Sequence, residues 1–290
     1  MVLGQPDLAA ETIGGGELAN RAAGLITVQP LRARGRVRLP RGVRRMFGPL
    51  VFLFLWWLFT KTGVLSKVAL APPQSVASAG WHLIVDGTLI SAIWASLQRV
   101  LWGFLIGGVI AITLALLAGL FRLGEDLVDA TMGMLRTVPW VGLIPLFVVW
   151  FGIGERPKIA LVALGVTFPL YINTYAGIRN VDAGLVETGT SLGLGRWGLI
   201  RHVVLPGALP GALVGLRYSL GIAWLALVFA EQINASNGIG YLMNNAENYF
   251  ETNVIILCLV VYAILGLTTD LIVRLLIRYL LPWRTSYEGT

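Results

Sequence analysis

The chain has little cysteine, little histidine and little charge. Its 290 residues include one cysteine, Cys258, and two histidines, His82 and His202, and only 13% of the residues are charged. A single cysteine excludes an intrachain disulfide and a thiolate metal cluster. Because the two histidines are far apart in sequence, the chain also lacks the pattern by which a metal centre or a histidine-dependent catalytic site is usually recognised.

Apolar residues are abundant by contrast. They make up 56% of the chain, and the mean hydropathy is +0.76, which predicts an all-α polytopic membrane protein. The formal net charge of +7 could indicate a nucleic-acid partner. The cations, however, concentrate in the N-terminal arm and near the ends of apolar segments. That placement is typical of membrane topology, so we expect contact with membrane lipid and no nucleic acid.

Long apolar stretches predict six transmembrane helices. The third contains Pro139 and Pro145, and a helix broken by proline is tolerated where it borders a cavity or a neighbouring helix. The segment over 81–93 is expected outside the membrane or at its interface. Residues 1–46, which are rich in arginine, are expected to form a flexible basic cytosolic arm before a membrane domain over 47–290. The predicted helices cover 47–60, 96–120, 137–153, 157–178, 208–231 and 252–281.

Six spans place both termini and the loop over 179–206 on one side of the membrane. Most of the lysines and arginines outside the helices lie on that side. The positive-inside rule identifies it as the cytosol.

Two smaller patterns are interpreted structurally. The carboxylates Glu125, Asp126 and Asp129 have no nearby histidine, so we expect a solvated helix face rather than a metal site. Gly103 and Gly107 are one helical turn apart in the second span, and small residues at that spacing permit close helix packing in lipid.

The segment from Glu187 to Pro206 is polar and rich in glycine where its surroundings are apolar. Gly193 at its centre predicts a short helix, a tight break and a second short helix. Small residues there let another surface approach the backbone, and Leu205-Pro206 closes the segment because proline suits a first helical turn. The pattern favours a water-exposed docking element.

The spacing of Glu187, Gly193 and Leu205-Pro206 resembles the E-A-A…G…I-x-L-P loop of ABC-importer permeases. Thr188 and Gly189 replace the usual alanines, but both remain small. The resemblance implies that this coupling loop sits in a cleft of a cytosolic ATPase and transmits its motion. It assigns that contact to Glu187, Thr188, Gly189, Leu192, Gly193, Leu205 and Pro206.

Further segments, including M-L-R-T-V-P from Met134 and F-P-L-Y-I-N-T from Phe168, resemble one branch of these permeases. That branch imports aliphatic sulfonates, taurine, nitrate or bicarbonate, and thiamine precursors, and the chain looks closest to the aliphatic sulfonate permeases. The resemblance implies a type I ABC-importer permease fold in a bacterial inner membrane. It also implies a homodimer, two cytosolic ATPase subunits, an external substrate-binding protein and no cofactor in this chain, with ATP-Mg bound by the ATPase.

Arg217 is an ionisable residue within a predicted span, which is a functional hypothesis by default. Two interpretations stay open: it lines an anion path, or it snorkels toward the cytosolic headgroups. Arg99 is a further candidate for contact with an anion. Tyr171 and Trp140 could line the path, but aromatic packing between helices is the favoured role for each. The remaining predicted path residues are polar: Asn173, Glu231 and Asn234.

Two other classes compete with an importer subunit. A membrane-embedded enzyme needs a nucleophile with a base, or a metal constellation, which the sequence does not offer. A passive channel needs no ATPase interface, so the 187–206 segment disfavours it. Copurification with an ATPase distinguishes an importer subunit from both.

Overall fold

The computed structural model describes residues 41–63 and 69–282, with the side chains of residues 41–46 and Asn234 excepted. The predicted basic arm therefore lies outside the described residues up to position 40, and its flexibility stays a prediction. By its contacts the chain divides into two units, residues 1–53 and 54–290.

Three helices open the described chain. They are α1 (Arg41–Lys61), α2 (Pro73–Val85) and α3 (Thr88–Leu120). Helix α2 begins where proline fits the first turn, and Gly87 in the left-handed region, at φ 76°, separates it from α3. The predicted helix start at 96 is therefore wrong, because α3 already begins at Thr88. The location of 81–93 outside the membrane or at its interface stays a prediction.

The predicted third span over 137–153 is also wrong as a continuous helix. A short helix, α4 (Arg122–Leu135), and a second one, α5 (Ile144–Phe151) with the 3-10 turn Trp140–Leu143 before it, meet at a bend of 86°. Pro139 lies in extended conformation at the bend, and Pro145 lies in the first turn of α5. Both prolines stand where no helical hydrogen bond is lost.

The second half of the described chain contains five labelled helices and a short helical lead-in to one of them. The lead-in consists of Arg196–Leu199 and the π turn Ile200–Val204, and it continues without a break into the helix that begins at Leu205. The five are α6 (Glu155–Arg179), α7 (Ala183–Ser191), α8 (Leu205–Asn234), α9 (Ile239–Asn248) and α10 (Thr252–Leu280).

Four helices among the described residues are long and apolar enough to cross a membrane: α3, α6, α8 with its lead-in (Arg196–Ile233), and α10. The bent α4–α5 pair gives a fifth span if it is counted as one. Phe47–Lys61 of α1 is apolar but shorter. The predicted six spans thus require both the bent pair and α1.

Helix α6 is the centre of the bundle and packs extensively on α3 and α8. Glycines permit the close approach. A Cβ at Gly103 would lie 2.6 Å from the Val162 side chain, and the backbone of Ala163 fills the space beside Gly107, which confirms the packing role predicted for both. On the other side, a Cβ at Gly177 would lie 2.7 Å from the carbonyl oxygen of Ala208 in α8. The three helices are therefore in near-backbone contact.

Candidate functional site

The connection between α6 and α8, residues 180–204, has the predicted architecture of helix, break and helix. Asp182 caps α7, accepting a hydrogen bond from the Gly184 N–H at 2.8 Å. At the far end Gly193 has φ +86°. Its N–H donates to the Thr190 carbonyl at 2.9 Å, and that of Leu194 donates to the Gly189 carbonyl at 3.0 Å. This is a Schellman motif, which explains why the break is a glycine.

Gly189 lies on the inner side of this α6–α8 loop. The residue is buried, and a Cβ there would lie 2.8 Å from Leu199 Cδ2 and 3.3 Å from Leu194 Cδ1. The second half of the loop therefore folds against α7 where the side chain is missing. In this structure the space at Gly189 is already filled by the loop itself, whereas the other six residues predicted to contact an ATPase are exposed: Glu187, Thr188, Leu192, Gly193, Leu205 and Pro206.

Large apolar side chains are exposed at the tip of the α6–α8 loop. Leu192 is 79% exposed and Trp197 is 81% exposed, on either side of the Gly193 break. In a polar loop, exposed apolar residues grouped in this way mark a surface for another protein. The sequence reasoning did not single out Trp197, although a tryptophan in a glycine-rich polar segment was visible.

Helix α4 holds the loop-side end of α6. The Glu125 carboxylate accepts from Tyr175 Oη at 3.1 Å and pairs with Arg179 Nη2 at 3.1 Å. Asp129 accepts from Tyr171 Oη at 3.0 Å. The expectation of a solvated carboxylate face was incomplete for these two, because both are partly buried and bond to side chains of α6.

The opposite end of α6 and α8 carries a cluster of ionic side chains centred on Arg99. Its Nη1 donates to Glu231 Oε1 at 2.5 Å and to the Asn237 carbonyl at 2.6 Å. Its Nη2 donates to Glu155 Oε1 at 2.9 Å, and its Nε contacts the other oxygen of the same carboxylate. Glu155 also pairs with Lys158 at 3.0 Å. Two cations and two carboxylates therefore balance within this Arg99–Glu231 cluster.

Glu231 is the most deeply buried member of the cluster, with no exposed side-chain surface, and Arg99 and Lys158 are buried as well. Besides Arg99, its carboxylate accepts from Ser96 Oγ at 2.8 Å and from the Gly240 N–H at 2.8 Å. Gly238, at φ +127°, approaches so closely that a Cβ there would lie 2.5 Å from Glu231. A buried carboxylate held by this many donors joins α3 and α8 to the glycine-rich turn that precedes α9.

The predicted path residues do not converge on one place in this structure. Tyr171 contacts α4, and Trp140 stacks edge-on against Phe229 at 6.4 Å. Asn173 donates to the Pro169 carbonyl at 2.8 Å within α6. Glu231 belongs to the Arg99–Glu231 cluster, and the side chain of Asn234 lies outside the described part. Their role in a path stays a prediction.

Arg217 has a partner that the sequence reasoning missed. Its Nε donates to Asp270 Oδ1 at 2.5 Å, and Arg274 Nε donates to Asp270 Oδ2 at 2.7 Å. Asp270 lies on α10, so this Arg217–Asp270 cluster connects two long helices. Arg217 and Asp270 are 53 positions apart, so no local pattern in the sequence indicates that they pair.

Comparison with known proteins decides the family. Residues 103–285 match the family described as the binding-protein-dependent transport system inner membrane component. The chain belongs to this family. It is therefore the multi-pass inner-membrane permease component of a transport system.

Relatives of this permease are similar along most of their length. It is 46% identical to the aliphatic sulfonates transport permease protein SsuC of Escherichia coli (strain K12), over 83% of this chain and 92% of that protein. It is 42% identical to SsuC of Bacillus subtilis (strain 168), over 83% and 87%. The taurine transport system permease protein TauC of Escherichia coli (strain K12) is 34% identical, over 89% and 96%.

Solved structures show the same fold. An amino acid ABC transporter crystallised with histidines matches with a TM-score of 0.58 at 18% identity, over 68% of this permease and 96% of that chain. The methionine ABC transporter MetNI, in an inward-facing conformation, matches with a TM-score of 0.54 at 21% identity, over 64% and 95%. The permease thus has the type I ABC-importer permease fold expected from the sequence.

Proposed function

We propose that this permease forms the translocation path of an ATP-driven importer for aliphatic sulfonates. The two SsuC proteins, which are named for aliphatic sulfonates, are 46% and 42% identical to it over most of their length. TauC, named for taurine, is 34% identical. The higher identity to the sulfonate permeases supports a sulfonate as the solute and makes taurine the second candidate.

The observation that carries the coupling role is the pair of exposed side chains on the α6–α8 loop. Leu192 and Trp197 extend from a loop whose backbone is fixed by the Schellman motif at Gly193. A rigid, partly apolar protrusion of this kind fits a cleft in a partner protein. We infer that the partner is the cytosolic ATPase and that Trp197 is an anchor of the contact.

The assembly that follows has two permease copies on two ATPase subunits, with an external protein delivering the solute. ATP-Mg is bound by the ATPase, and this chain supplies no cofactor. The α6–α8 loop and both termini then face the cytosol, and the Arg99–Glu231 cluster faces outward. Residues 1–46 form the basic cytosolic arm beside the permease domain over 47–290.

The substrate is tested by ATP-dependent uptake of labelled ethanesulfonate into vesicles that contain the permease, its ATPase and its binding protein. Unlabelled alkanesulfonate should compete strongly, and taurine and nitrate only weakly. If taurine competes more strongly than the unlabelled alkanesulfonate, the result identifies taurine as the transported solute. The ATPase contact is tested separately by copurification: the wild-type permease should retain the ATPase, and Trp197→Ala should lose most of it.

A further inference from the structure

The Arg217–Asp270 cluster differs from an ordinary helix–helix ion pair in its charge balance. Two arginines share one aspartate, so the cluster carries one excess positive charge. Each arginine uses only its Nε toward Asp270. Within the described residues, no partner is found for the terminal Nη atoms of either guanidinium. The two Nη atoms of each guanidinium therefore remain available to a ligand that accepts hydrogen bonds.

The cluster opens onto a recess between α8 and α10. Its volume is about 540 Å³, and its wall combines charged and hydroxyl groups with apolar side chains. The side chain of Arg217 is 49% exposed there, and that of Asp270 is 25% exposed. A recess of this size is within the range that holds small ligands. The lining includes Tyr218, Gly221, Ile222, Leu225, Gly266 and Thr269.

We propose that Arg217 binds one tetrahedral oxyanion, the sulfonate head of the transported solute, in this recess. Asp270 holds the Arg217 guanidinium there, and Arg274, which lies outside the lining, contributes its charge through Asp270. The identity of the anion rests on the proposed function. Guanidinium forks match the oxygens of a sulfonate. Asp270 holds both arginines in place and limits the excess charge to one, so a single monoanion neutralises the site and can leave again.

The test is equilibrium binding of labelled ethanesulfonate to the permease–ATPase complex in phosphatidylcholine nanodiscs. Wild type should bind it saturably. Arg217→Gln removes the excess charge and should weaken binding about tenfold. Asp270→Asn keeps a side-chain oxygen that can accept from Arg217 Nε and raises the excess charge from one to two, so it should tighten binding. Arg278→Gln, on the same helix and outside the recess, is the matched control and should bind like wild type.

The opposite directions are decisive, because a merely structural ion pair predicts that both substitutions weaken binding. Absence of saturable binding by wild type, or weaker binding in both variants, would overturn the site. If Asp270→Asn does not fold, Arg217→Lys decides. It keeps the charge and loses the fork, so the site predicts an affinity between wild type and Arg217→Gln, and an affinity equal to that of Arg217→Gln contradicts it.

Two further experiments are needed. The first distinguishes a transported sulfonate from a lipid headgroup as the bound anion, and the second distinguishes failure of the binding site from failure of the proposed function. Adding phosphatidylglycerol to the nanodiscs should leave sulfonate binding unchanged; loss of binding would assign the site to a lipid headgroup instead. Sulfonate binding without ATP-dependent uptake in the complete importer contradicts the proposed function and leaves the site standing. Uptake without binding, and with an unchanged KM in Arg217→Gln, contradicts the site alone.

Discussion

The two ends of helices α6 and α8 are chemically different. At one end the Arg99–Glu231 cluster balances its charges, and Glu231 is completely buried among donors. At the other end the α6–α8 loop exposes Leu192 and Trp197. At the first end this chain supplies the charged partners itself, whereas at the second it exposes apolar groups that we expect a partner protein to bury. A stability measurement should therefore be sensitive to the first end and an assembly measurement to the second.

The helices between the two ends are built to move together. Glycines bring their backbones into contact, with a Cβ at Gly211 placed 2.8 Å from the Asn173 carbonyl oxygen. Packed elements of this kind transmit displacement because little space is left for independent motion. We therefore expect a push on the loop to reach the Arg99–Glu231 cluster through α6 and α8.

Removing the buried carboxylate should have the largest effect on stability. Glu231→Ala leaves Arg99 buried with only one of its two carboxylate partners, and breaking a buried ion pair costs about 3–5 kcal/mol. The loss is measured as the free energy of unfolding in mixed micelles. Glu247→Ala, an exposed carboxylate on α9, should change little. Equal effects of the two substitutions would show that the cluster does not stabilise the fold.

A substitution that forces α6 and α8 apart should have the next largest effect on stability. In Gly177→Ala the new methyl group meets the Ala208 backbone, which cannot rotate away, so we expect a loss of about 1–3 kcal/mol. Gly133→Ala, where nothing lies within 4 Å, is the control and should be neutral or slightly stabilising. The pair is compared by thermal unfolding. A stable Gly177→Ala variant would contradict rigid packing of the two helices.

Two glycines of the loop allow the effect of backbone conformation on stability to be measured apart from the effect of steric contact. A methyl group added at Gly193 or at Gly195 would meet no atom within 4 Å, but only Gly193 has a positive φ. Gly193→Ala should therefore cost about 1–2 kcal/mol, and Gly195→Ala much less. Unfolding curves of the two variants provide the comparison. Identical curves would mean that the Schellman motif is not needed for the loop.

The smallest effect on stability is expected at the exposed tip. Trp197→Ala should change the free energy of unfolding by no more than about 0.5 kcal/mol, while retention of the ATPase falls strongly. Tyr249→Ala removes another exposed aromatic side chain, after α9, and should affect neither. A Trp197→Ala permease that retains the ATPase fully would place the contact elsewhere.

Local patterns in the sequence predicted the parts of the molecule that depend on local chemistry. The break at Gly193 follows from glycine in a polar segment, and the close packing at Gly103 and Gly107 follows from their spacing. The bend at Pro139 was underestimated, because proline inside an apolar run is compatible with either a kinked span or two helices. The length of the run does not distinguish them.

Pairing between distant residues was not predictable. Arg99 and Glu231 are 132 positions apart, and Asp270 was not considered as a partner for Arg217. An isolated charge in an apolar stretch shows that a partner must exist but does not identify it. Gly189 illustrates a related limit, because a small residue admits either a partner protein or the chain's own side chains. Only the fold shows that Leu199 and Leu194 occupy that space.

The central claim is that ATP drives transport through the α6–α8 loop. It is tested most directly by ATP-dependent uptake of labelled ethanesulfonate into vesicles with the permease, its ATPase and its binding protein, comparing wild type with Gly193→Trp. The account predicts uptake by wild type and loss of uptake in a folded, membrane-inserted Gly193→Trp permease. Normal uptake by that variant, or wild-type uptake that does not require ATP, would contradict it.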